Sequence, residues 1–237
     1  NPILALAEEF GFASPMPLQN RVTPRSEILA LPDRGLFMGN RGILHDAEKT
    51  LARARWKHQH WIICTLSYQG WHRDVMQAGA YTELFFLDEA TALAAGHRPC
   101  ALCRRNDYGA FQDTLRHALR RAERLSAQAL DHMLHAARID GATREQRRFE
   151  ASLDDLPDGA MLVFRDEADN DRQDVWLVAG ESLLRWHSSG YDRRLDRPQG
   201  ITALVLTPRP TILALQQGYL PIVHPSAQML LKTTSAV

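Results

Sequence analysis

The chain has 237 residues, 45% apolar and 24% charged, the make-up of an ordinary globular protein that buries the core of one large domain or two small ones. Its 28 basic and 28 acidic side chains cancel, so no overall basic excess drives it onto polyanions, and any nucleic-acid contact must come from a local patch. No apolar run reaches the roughly 20 residues that span a bilayer. The N-terminal residues lack the basic-then-apolar pattern of a signal peptide, and three cysteines make no disulfide framework. A reduced, cytoplasmic compartment is the expectation.

Through the first forty residues, turn formers such as Pro15, Pro17, Pro24 and Pro32 outnumber periodic stretches. Irregular structure is expected there, up to a turn at Gly39-Asn40-Arg41-Gly42. Residues 43–45 then read as a short strand and residues 61–68 as a longer one, rich in bulky and β-branched side chains. The charged stretch between them makes the pair a hairpin, and residues 82–87 a third strand. Asp88 is a good N-cap for a helix over 89–95, with Gly96 placed to end it. Tyr108, Phe111, Leu115, Ala118 and Ala122 recur at spacings of three and four and predict a longer amphipathic helix. Ala127, Leu130, Leu134 and Ala137 predict another, closed by Gly141.

A charged segment then ends in Leu156-Pro157-Asp158-Gly159, a turn signature. It divides the chain into an N-terminal α+β part (1–141), a linker (142–158) and a C-terminal part (159–237). Strand-like runs at 161–164, 175–178, 183–186 and 201–206 make that last part mainly β, with a short helix from Pro210 through Gln217 and Gly218 beyond it. The fold class expected is α+β.

The sharpest chemical signal is Cys100-x-x-Cys103. Two thiolates at this spacing form a knuckle that grips one tetrahedral metal ion at about 2.3 Å per Zn–S bond. Arg98, Arg104 and Arg105 lie beside it, and cations favour the thiolate form. A redox dithiol is the rival. That motif normally follows a strand and opens a helix in a βαβ unit, whereas here a helix precedes it and Pro99 leads in. Cys64 is the remaining thiol, read as a third ligand against the alternative of a small buried core residue.

The series Phe85-Phe86, Glu89-Ala90, Ala95-Gly96 and Arg98-Pro99-Cys100-x-x-Cys103 resembles the second half of the zinc-binding domain of the Ada family of bacterial alkylation-response and DNA-repair proteins. The resemblance covers about residues 84–105. It implies zinc on Cys100 and Cys103, with two further ligands on strands just upstream. Where that family has two closely spaced upstream cysteines, this chain has only Cys64, farther off, so methyl transfer is not carried over.

The fourth ligand is expected to be a histidine. His60 lies four residues before Cys64, about 13 Å along a strand, too far to share an ion. His45, on the expected partner strand, would face Cys64 across the ladder at about 5 Å. His72, after the Gly70 turn, and His97, three residues before Cys100, stand behind it. The site expected is thus Cys64, Cys100, Cys103 and His45, with zinc in a closed, structural role.

Other clusters have plainer readings. His132 and His135 fall off the apolar stripe of their helix and read as a solvated face. Trp186-His187-Ser188 and His224-Pro225-Ser226 lack a nucleophile elbow and read as turns. Arg104, Arg105, Arg116 and Arg120, with Arg121 and Arg124, form a basic run suited to phosphate. Three functions follow as alternatives. One is a zinc-stabilised protein that binds nucleic acid or a partner associated with it. Another is a hydrolase-type enzyme using the Asn40–Asp46 loop between the two parts, with His45 as general base. The third is an interaction module without chemistry.

Overall fold

A computed structural model describes residues 16–71, 74–164 and 174–232. Among these the chain forms two six-stranded sheets with helices packed around them, an α+β fold. The first sheet uses β1 (Gln19–Val22), β2 (Ile28–Ala30), β3 (Phe37–Asn40), β4 (Ile62–Thr65), β5 (Leu84–Phe86) and β6 (Arg98–Pro99) in the order β2-β1-β5-β3-β4-β6. Its β1–β5 and β4–β6 pairs are parallel and the others antiparallel. Residues 16–40 are therefore not irregular, since they supply three strands, while residues 1–15 lie outside the described residues.

Asp88 caps α1 (Glu89–Ala94) by accepting from the Thr91 backbone N–H, and Gly96 ends it at φ +88°, a conformation a side chain would strain. The apolar stripes at three- and four-residue spacing become α2 (Arg105–Ala118) and α3 (Ala127–Arg138). The first of these stops short of Ala122, because Arg120 adopts φ +51°.

The second sheet is wholly antiparallel, β11-β10-β9-β8-β12-β7. Its strands are β7 (Phe149–Ser152), β8 (Met161–Val163), β9 (Val175–Ala179), β10 (Ser182–His187), β11 (Gly190–Asp196) and β12 (Thr202–Val205). Then come α4 (Arg209–Gln216) and α5 (Pro225–Lys232). Segment 142–158 is accordingly no free linker. It carries β7, paired along its length with β12, and Phe149 packs against the core under the Arg209 guanidinium at 3.8 Å.

One hydrophobic cluster runs through both halves, joining Val22, Phe86 and Phe111 to Leu162, Trp176 and Val205. Two buried carboxylates at the start of α1 strengthen the join. Asp88 accepts from Tyr191 Oη at 2.8 Å and the His224 backbone N–H at 3.0 Å, while Glu89 accepts from Tyr219 Oη at 2.6 Å. Their lone pairs are filled by protein donors, as the burial of charge requires.

Candidate metal centre

The parallel register of β4 and β6 builds the site. Ile63 stands beside Pro99, and the Cys100 N–H donates to the Ile63 carbonyl at 2.9 Å. One residue further on, Cys64 and Cys100 are side by side on neighbouring strands. The chain then turns back, with the Arg104 N–H bonded to the Cys100 carbonyl at 3.2 Å, and returns Cys103 to the same point. The three sulfurs all lie within 4.8 Å of one another. A tetrahedral ion with Zn–S bonds of about 2.3 Å needs its sulfurs roughly 3.8 Å apart, so small side-chain adjustments suffice to close on a metal.

Backbone amides aim at the same sulfurs. The Leu102 N–H donates to Cys100 Sγ at 3.4 Å, and the Cys103 and Thr65 amides favour the thiolate forms of Cys100 and Cys103 respectively. The contact with Cys64 lowers the Cys100 thiol to about 5 and the Cys103 thiol to about 7, the amide donors adding to the effect. Cys64 is pushed up by its contacts with the other two sulfurs and by burial. The contacts among the three sulfurs thus favour the thiolate form of Cys100 and Cys103 and the thiol form of Cys64. A cation entering the cluster would displace the Cys64 hydrogen.

Behind the knuckle, Arg98 and Asp131 form a buried two-point ion pair at 2.9 and 2.8 Å, and His60 Nδ1 meets the same carboxylate at 2.7 Å. Because Arg98 precedes Pro99 and Cys100 directly, this pair pins β6 to α3. On the other side of β6 lies Trp61, with the Arg41 and Arg138 guanidinium carbons 4.0 and 3.9 Å from its ring centroid. Two such groups fit over one ring only on opposite faces, so the indole is sandwiched. Burial, with the charge of Arg55 adding to it, lowers Arg41 to about 9, and burial, then the charge of Arg41, lowers Arg138 well below its usual range against the opposing pull of Asp131.

The structure places the other expected residues elsewhere. The strand partner of β4 is β3, so Met38 and not His45 stands opposite Cys64. His45 makes only an isolated bridge with Leu51, and its ring spans Thr82 Oγ1 at 2.6 Å and the Gln77 carbonyl at 3.2 Å. His97 is buried against Trp61 and Phe86, its Nε2 accepting from Arg41 Nε at 3.3 Å. His72 lies outside the described residues. Among the described residues, no His, Asp or Glu joins the three cysteines.

Arg104 is buried over the Phe37 ring and bonded to Glu89 and Asp107, so it does not face solvent as a phosphate contact would. Arg105 and Arg120 are exposed. Arg116 is partly covered, 3.7 Å from Asp113. His132 and His135 turn to Gln59 and Arg138, and His187 and His224 each bond a serine two residues on, as turn chemistry predicts.

Sequence reasoning passed over the Arg98–Asp131–His60 network and the Trp61 sandwich. A count of charged residues inside otherwise apolar runs, such as Asp131 beside Leu130, was the available signal. No family profile, curated protein or solved structure matches the chain.

Proposed function

We propose that this chain is a zinc protein whose ion, held by Cys64, Cys100 and Cys103, clasps β4 to the knuckle and steadies an arginine-bearing face that contacts nucleic acid. The observation that carries the first half is the convergence of three thiols from two segments within 4.8 Å, with backbone amides turned to their sulfurs. All-sulfur donors favour zinc over hard cations such as magnesium or calcium. Both His45 ring nitrogens are engaged, by Thr82 Oγ1 and the Gln77 carbonyl, which speaks against His45 as the general base of the alternative reading.

The second half rests on Arg105, exposed two residues after Cys103, on Arg116 in the last turn of α2, and on Arg120 and Arg121 just beyond that helix. Arg105, Arg120 and Arg121 pair with no carboxylate among the described residues, which leaves them for phosphate. The Ada likeness of residues 84–105 points the same way, as analogy.

Metal analysis of protein purified without added metal tests the first half. About one zinc per chain is expected, lost in Cys100→Ser; a metal-free wild type with an intact fold overturns it. Electrophoretic shift at low salt tests the second. Arg105→Glu is expected to weaken binding on every sequence and lower the salt slope by about 1. No shift with any DNA or RNA form would sink it.

A further inference from the structure

The three cysteines have a second chemistry besides holding an ion. All are free thiols, and their sulfurs lie within 4.8 Å of one another. An S–S bond is about 2.05 Å long, so rotation of two side chains with a small backbone shift closes one.

Exposure separates the three. Cys100 is buried, 9% exposed, and its sulfur accepts from the Leu102 N–H. Cys64 and Cys103 are partly open to solvent. Leu102, the neighbour of Cys103, is 54% exposed, so the tip of the knuckle stands at the surface. A small oxidant therefore meets Cys103 and Cys64 before Cys100. Contact then fixes the partner. Of the two sulfurs beside Cys103, that of Cys64 is the one whose contact weighs most on it. An accessible cysteine poised next to a second thiol is the arrangement in which a sulfenic acid is captured as a disulfide.

We propose that Cys64 and Cys103 are the site of a reversible disulfide formed by peroxide. Hydrogen peroxide transfers one oxygen to the Cys103 thiolate, giving a sulfenic acid and hydroxide. The Cys64 sulfur gives up its proton to the medium, attacks the Cys103 sulfur and expels the second oxygen as hydroxide. Two sulfurs are oxidised by one electron each, the O–O bond is broken, and both oxygens end as water once the hydroxides are protonated. A thiol reductant reverses the bond by exchange. The bridge takes two of the three sulfur donors, so zinc held there is released. That release rests on the zinc reading above, whereas the bridge itself does not.

The full chain, treated with a small molar excess of hydrogen peroxide and then alkylated, tests this by intact mass, by peptide linkage and by zinc freed to a chromogenic chelator. A mass lower by two hydrogens before alkylation is expected, with Cys64 linked to Cys103 and Cys100 alone alkylated. One zinc should be freed per bridge formed, and dithiothreitol should restore the thiols. Cys100→Ser should form the same bridge, and the wild-type linkage decides the matter if that variant does not fold. A bridge formed in a chain that carries no zinc before treatment supports the disulfide and overturns the zinc reading. An unchanged mass, oxygen gained without a bridge, or a link between Cys100 and Cys103 overturns the proposal.

Discussion

Replacing Asp131 by Asn tests how far the buried ion pair behind the knuckle holds the fold. The Asp131 side chain is 1% exposed and that of Arg98 6%, so the guanidinium left behind cannot regain water without opening the structure. Breaking a buried pair by removing one partner costs about 3–5 kcal/mol. Asn keeps one acceptor for Arg98, which puts Asp131→Asn at the low end, about 3 kcal/mol. That is a large share of the ~5–15 kcal/mol that holds a typical domain folded. For a chain of this size the thermal midpoint should fall by roughly 6–12 °C.

Thermal and urea unfolding read this directly. A second variant distinguishes the ion pair from simple loss of packing. Arg98→Met combined with Asp131→Leu removes both charges together, while His60, with its side chain 57% exposed, turns to water. The double variant should be more stable than Asp131→Asn alone, and in the cycle with Arg98→Met and Asp131→Leu made singly the coupling energy should be about 2 kcal/mol. A single-variant loss below ~0.5 kcal/mol, the level of an exposed pair, would refute the reasoning. So would strictly additive effects in the cycle.

Two further outcomes follow from the same core. Burial, and after it the charges of Arg41 and Arg138, hold His97 well below its usual pKa, so the ring stays neutral in the fold. The unfolded chain takes up that proton below about pH 6.5, so stability should fall as the pH drops under this value. The loss should be smaller in His97→Gln, measured as unfolding midpoints at pH 7.5 and 5.5; equal losses would acquit His97. At Gly39 an added Cβ would lie 2.0 Å from the Ile62 carbonyl oxygen, so Gly39→Ala must part β3 from β4 and should cost about 1–3 kcal/mol. Gly141→Ala, with nothing within 4 Å of the new atom, serves as the neutral control.

Local pattern carried the helices and the knuckle. Asp88 and Gly96 bracket α1 by chemistry that lies within a few residues, and the Leu130–Leu134 stripe needs only the helical period. Strands with an apolar run were legible, fully buried as in β8 and β9 or partly exposed as in β4 and β12, and the charged β11 was not. The β11 strand reads Gly-Tyr-Asp-Arg-Arg-Leu-Asp because it is an outer strand whose charged side chains meet solvent and ions, Arg185 pairing with Asp192 across the ladder. Such a run has the composition of a loop, and only its pairing with β10 makes it a strand.

The ligand set shows why register was the hardest inference. Cys64 was assigned to the knuckle because a thiol pair needs partners, and the structure brings the three sulfurs together through the parallel pairing of β4 with β6. His45 enters the expected set only if residues 43–45, the strand nearest in sequence, pair with β4. The turn-like Gly39 misled there. Its lack of a side chain is what allows β3 to lie against β4 with Ile62 so close, and that contact fills the edge of β4 that residues 43–45 would have used. With that edge taken, His45 is carried past the ladder into the Thr82 and Gln77 contacts. A glycine read as a bend is here the residue that admits a neighbouring strand, and it removes a histidine from the expected coordination sphere.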